Sequence, residues 1–156
     1  MTFISPTHGR LSLEQVVDDI RGYIAEDTSF QYKLIVGSDS QSRDGTCFVT
    51  AIIIHRVGKG AHYYYTKRYD RKINSLRQRI FYETSLSLEM ADRLAECLSQ
   101  RGEENLKVEI HLDVGTHGET KELVKDIIGM VMGSGFDAKI KPYASGASKV
   151  ADRYTK

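Results

Sequence analysis

Residues 47–57, CFVTAIIIHRV, are apolar at odd and even positions alike and rich in β-branched side chains. A strand with one wet face alternates apolar and polar residues, whereas an unbroken run of this kind is buried on both faces. Such a strand needs a covering layer on either side, the arrangement of an α/β sheet flanked by helices. Its neighbours in the chain complete a meander. KLIVGSD (33–39) is a shorter apolar run, joined to the long one through the turn at Asp44-Gly45. Gly58 and Gly60 flank Lys59 and let the chain return through HYYYTKRY (62–69), so these three strands are expected to be antiparallel.

Around this meander the spacing turns helical. Ser12 and Gln15 fit a capping box, and Leu13, Val16, Val17, Ile20 and Ile24 predict an amphipathic helix over 12–26. A long helix over 75–100 follows from Leu76, Ile80, Leu86, Met90, Leu94, Cys97 and Leu98. KVEIHLD (107–113) alternates with period two, sending Val108, Ile110 and Leu112 one way and Glu109, His111 and Asp113 the other. A helix over 119–132, stopped near Gly133 and Gly135, leads to a fifth strand, DAKIKPY (137–143), whose Pro142 suits a strand end. ASKVADRYTK (147–156) closes the chain as a short helix opened by Ser145 or Gly146. The expected fold is α/β: a mixed five-stranded sheet, the first three strands an antiparallel meander and the later ones parallel, flanked by helices, with an additional N-terminal helix. A length of 156 residues suits one domain over 1–156, with 1–30 as its helical extension.

Twenty-two Lys and Arg against 21 Asp and Glu leave a formal charge of +1, so no global field draws the chain to a polyanion and any nucleic-acid site must be a local patch. Arg68, Arg71, Lys72, Arg77 and Arg79, close to Tyr63–Tyr65 and Tyr69, offer such a patch; the same residues also suit a solvated ridge with tyrosines packed on the sheet. Cys47 and Cys97 have neither redox-pair nor zinc-cluster spacing and read as buried thiols of a reducing compartment. The opening MTFISPTHGR lacks a signal-peptide pattern and no apolar run reaches membrane-spanning length, so a cytoplasmic location and no membrane partner are expected. A homodimer is open if the third strand exposes an aromatic edge.

Four carboxylates carry the chemistry. Asp39 follows the first strand of the meander and Asp113 ends the fourth; if those strands are parallel neighbours, both emerge at the carboxyl edge, where open α/β sheets bind ligands. Either alone also suits a turn or helix cap. Glu83 shares a helix face with Ile80, Met90, Leu94 and Cys97, a costly position unless a partner or metal serves it; pairing with Arg79 at the helix seam is the plainer alternative. Asp152 sits on the last helix with Lys149 and Lys156, which suffice for local ion pairs, yet docking at the same edge makes it a fourth acid. Four such acids repel one another unless they hold protons or divalent cations, and oxygen ligands suit Mg2+ or Mn2+.

The segments IVGSDSQ (35–41), HLDVG (111–115) and ASGASKVADRYTK (144–156) resemble the ribonuclease H-like superfamily, and more closely a small bacterial family of uncharacterised ribonuclease H-like proteins. The resemblance runs from Leu11 to Lys156 and implies an acid on the central first strand, on the first long helix, at the end of the fourth strand and on the last helix. Asp39, Glu83, Asp113 and Asp152 stand at those positions as the implied catalytic and metal-binding residues. It implies a two-metal nuclease acting on RNA or DNA, with Asp39 and Asp113 as shared ligands, Glu83 supporting a metal and the attacking water, and Asp152 completing the second site. The chain lacks an obvious basic binding insertion, and a catalytically inactive module binding nucleic acid or protein is the alternative. His111 and His117 suit locally satisfied rings as well as substrate contacts. GTHGETK is no phosphate loop, and no zinc-protease or nucleophile-elbow motif is present.

Overall fold

The computed structural model describes residues 1–115, 118–141 and 146–155, with backbone alone for 146–149. His117, Pro142, Ser145, Lys156 and the Lys149 side chain, all singled out above, lie outside the described residues. The elements in chain order are β1 (Phe3–Ser5), β2 (Gly9–Leu11), α1 (Leu13–Glu26), β3 (Tyr32–Ser42), β4 (Thr46–Arg56), β5 (Gly60–Asp70), α2 (Leu76–Gln100), β6 (Val108–Gly115), α3 (Val124–Gly133), β7 (Asp137–Lys141) and α4 (Gly146–Thr155). A 3-10 turn, Lys121–Leu123, precedes α3, so that helix begins later than its apolar spacing suggests.

The strands form one mixed sheet in the order β2-β1-β5-β4-β3-β6-β7. β3, β4 and β5 are the expected antiparallel meander, and β6 and β7 continue it in parallel from β3. The sheet has seven strands rather than five. The two additions are the three-residue strands of an N-terminal hairpin, too short to carry an alternation pattern, whose β1 meets β5 at Ile4 opposite Tyr65. The edge of β5 that suggested a homodimer is thereby partly covered.

The two faces are covered unequally. On one, α1, α2 and α3 bury Val16, Ile20, Ile80, Leu94 and Ile127 against Leu34, Val36, Ile52, Ile54 and Ile110. On the other, α4 alone packs Val150 on Ile35 and Ile53, and Ala151 and Tyr154 on Val49, Ala51 and Tyr65. β4 is the double-sided strand its sequence demands, buried from Phe48 to Ile54. α1 and α2 start where the sequence reading puts them. Ser12 Oγ accepts from the Gln15 amide at 3.2 Å while Gln15 Oε1 accepts from the Ser12 amide at 2.8 Å, and Ser75 Oγ caps α2.

Candidate active site

Alternation along β3 decides which side chains reach which layer. Ser38 and Ser40 face α2, where Ser38 Oγ bonds Ser87 Oγ at 2.8 Å and Ser40 Oγ donates to Glu83 Oε2 at 2.5 Å. Asp39, between them, faces the α4 layer. β3 and β6 are parallel with Gly37 level with His111; carried two residues on, that register sets Asp39 level with Asp113 at the carboxyl edge. α4 brings Asp152 to the same place, where it shares a hydrogen bond with Asp39. Glu83 approaches from the opposite layer, on the buried side of α2 between Ile80 and Ser87.

The four acids sense one another. Burial pushes the Asp39 carboxyl from 3.8 up to about 7, the charges of Asp113 and Asp152 and the bond with Asp152 adding to it against a backbone hydrogen bond from Ser40. Burial likewise lifts Glu83 from 4.5 to about 8, with Asp39 and Asp113 adding repulsion and Ser40 and Arg79 opposing it. Arg79 therefore does act on Glu83 as a nearby charge, but its Nε is buried without a hydrogen-bond partner. Glu89, the poorer helix candidate, makes an exposed pair with Arg93 at 3.0 Å.

Two participants were not read from the sequence. Lys141 Nζ lies 2.6 Å from Asp113 Oδ1, and this bond holds the ammonium above the ordinary lysine range. The β6–β7 ladder slips between His111 and Gly115, which sets Lys141 opposite Gly115 instead of Asp113. Only the alternation Lys139, Lys141 in DAKIK hinted at a cationic face. Ser40 was legible in principle, since the neighbour of an inward residue on a strand points to the other layer.

Among the described residues no three acids or histidines are drawn round a single point as the ligands of one metal are. Asp113 leans on Lys141 and Glu83 on Ser40. The donor set nonetheless suits a hard divalent cation: it is all carboxylate, it repels itself, and an ammonium already holds a cation's place on Asp113.

His111 is buried, its Nε2 2.8 Å from Glu109 Oε2. Tyr64 is fully buried and donates its hydroxyl hydrogen to Asp19; Tyr65 stacks on Tyr154, and Tyr69 alone of the expected stacking tyrosines is largely exposed, at 73%. Arg68 and Arg77 lie over the rings of Tyr82 and Phe81, so part of the basic patch is folded onto aromatic neighbours. Both cysteines are free thiols, and no helix among the described residues is long and apolar enough to cross a membrane.

A mixed sheet with a central antiparallel meander, parallel strands beyond it and acids gathered at its carboxyl edge is the architecture of a ribonuclease H-like protein. The family model described as Ribonuclease H-like matches residues 15–156, and the chain belongs to that family. The uncharacterized protein YkuK of Bacillus subtilis (strain 168) is 35% identical over 167 residues, covering 99% of this chain and 96% of that protein. No solved structure gives a significant match.

Proposed function

We propose that residues 1–156 act as one ribonuclease H-like domain that hydrolyses nucleic-acid phosphodiester bonds with Mg2+ or Mn2+. The observation that carries this is the convergence of Asp39, Asp113 and Asp152 at the carboxyl edge of β3 and β6 with Glu83 behind them, where burial and neighbouring acids lift Asp39 and Glu83 towards neutral pH. A structural ion-pair network neutralises its members, whereas here neighbouring acids add to the rise at Asp39 and Glu83. Asp39 and Asp113 are the ligands we assign to both ions, with Glu83 and Asp152 on either side. When bound, two such ions supply an activated water and stabilise the departing oxygen.

The chain's own groups do the rest. Glu83, lifted to about 8, holds a proton near neutrality and exchanges it with water at its carboxyl oxygens. Asp39, lifted to about 7, is hydrogen-bonded to Asp152. Arg79 and Lys141 set positive charge beside the acids, placed to hold non-bridging phosphate oxygens.

The test is cleavage of labelled single- and double-stranded RNA and DNA with Mn2+, Mg2+ or EDTA. Metal-dependent cleavage that Asp39→Asn abolishes is expected; equal cleavage by the variant overturns the assignment. The Lys141–Asp113 pair favours a second reading, a binding module without chemistry, which predicts nucleic-acid or protein binding and no turnover on any of these substrates.

A further inference from the structure

The face that α4 covers is left open towards the amino end of β3. There the sheet carries a cleft of about 750 Å3, a volume in the range of small-ligand sites. Ile35, Ile53 and Val150 form its apolar floor, Tyr63 and His55 its aromatic side, and Lys33 and Lys139 supply ammonium groups. Glu109 is the acid lining it, and that carboxylate is already bonded to His111. Tyr63 is held in place by a 2.6 Å hydrogen bond between its hydroxyl and that of Tyr154.

The registers tie this cleft to the carboxylates. Ile35 precedes Asp39 by four residues on the same face of β3, and His111 precedes Asp113 by two on β6. At about 3.3 Å per residue the cleft therefore begins about 7 Å from the acids, at His111, and reaches about 20 Å from them, at Lys33. Lys139 is level with His111, hence with Gly37, and stands two strands and four residues from Lys33. That separation, about 16 Å from the strand rise and strand spacing, means the two ammonium groups meet different phosphates of one chain.

We propose that the cleft seats an unpaired segment of nucleic-acid strand leading away from the carboxylates, a base against Ile35, Ile53 and Tyr63 and phosphates a few nucleotides apart on Lys33 and Lys139. A cationic surface with an aromatic and apolar floor is the common chemistry of single-strand binding, and the free charge in the cleft is complementary to a phosphate backbone. This inference rests on the nuclease reading for its substrate and makes that substrate single-stranded where it crosses the sheet.

The experiment measures anisotropy of fluorescein-labelled oligo-deoxythymidine and oligo-uridine of about twelve nucleotides, in EDTA and at several salt concentrations. The wild type is compared with the double variant Lys33→Ala/Lys139→Ala, and cleavage with Mn2+ is measured in parallel with Asp39→Asn. Loss of about tenfold in affinity and a salt slope shallower by about 1.4 are expected for the double variant, while Asp39→Asn still binds. An unchanged affinity and slope in the double variant overturns the cleft, even where cleavage remains metal-dependent and Asp39-dependent. Absence of cleavage with the binding loss intact overturns the nuclease reading and leaves the cleft standing. A concentration-dependent dimer that the two substitutions dissociate, without effect on oligonucleotide binding, assigns the surface to a second copy of the chain and overturns the proposal.

Discussion

At the amino end of β3, Tyr32 meets Arg56, and seven residues on, at the carboxyl end, Asp39 meets Asp113, Asp152 and Glu83. Both ends gather charged side chains at one sheet edge, yet they are built in opposite ways. Arg56 donates from Nε to Tyr32 Oη at 2.9 Å and from Nη2 to the Tyr23 carbonyl at 2.8 Å, reaches Glu26, and lies 4.1 Å from the centre of the Tyr23 ring. Its one charge has an acid, two oxygens and a π face, so this end is a joint between α1 and the sheet. At the other end, acids are crowded, two carboxyls are pushed towards neutral pH, and among the described residues Lys141 and Arg79 set positive charge near them. Satisfied charge marks architecture; crowded charge of one sign marks a place where a ligand completes the electrostatics.

The largest contrast between the ends lies in activity. Asp39→Asn is expected to reduce metal-dependent cleavage to the blank rate with an unchanged circular dichroism spectrum, while Arg56→Ala retains cleavage in whatever fraction stays folded. Arg56→Ala instead loses stability, by about 2–4 kcal/mol on denaturant unfolding, because it removes two hydrogen bonds from a charged donor and the packing of a side chain only 12% exposed. A loss below about 0.5 kcal/mol would put the two ends on the same footing and remove the contrast.

The crowded end gives the protein a pH dependence. Asp39 and Glu83 bind protons more tightly in the folded chain than at their ordinary values of 3.8 and 4.5. Between about pH 4 and about pH 8 the folded state therefore carries more protons than the unfolded one, and the stability of the metal-free protein falls as pH rises through that window. Thermal unfolding in EDTA is expected to show that fall, Asp39→Asn to flatten it, and millimolar Mn2+ at pH 8 to raise the midpoint again. A profile in Asp39→Asn as steep as the wild type's would mean the slope arises elsewhere.

The smallest expected effect belongs to Lys141. Its side chain is 58% exposed, so Lys141→Ala should change stability by less than about 1 kcal/mol. Because the ammonium competes with a cation for Asp113, the variant should bind Mn2+ a few-fold more tightly in calorimetric titration. Weaker binding would show that Lys141 supports the site and does not occupy it.

Most of the architecture was legible in the chain because each main element carries its own periodic signal. The double-sided burial of β4, the meander and the long α2 all follow from local spacing, and the cap at Ser12 sets the start of α1. The N-terminal hairpin was not legible: β1 and β2 are three residues each, and the pairing of β1 with β5 is a contact across some sixty residues. The acids were legible as residue types at strand ends and on a helix face. What local spacing could not supply was the contact of Lys141 with Asp113 across a slipped β6–β7 ladder, or the burial of Tyr64 and the folding of Arg68 and Arg77 onto rings.

The chain alone determined which face of each element is apolar, because side-chain period is a property of the backbone. Only the tertiary structure decided how far burial and neighbouring acids lift Asp39 and Glu83, which cation leans on Asp113, and that among the described residues one sheet face is covered by a single short helix with a cleft beside it. Those are matters of distance and desolvation between segments far apart in sequence, and both vary steeply with packing that no local pattern records.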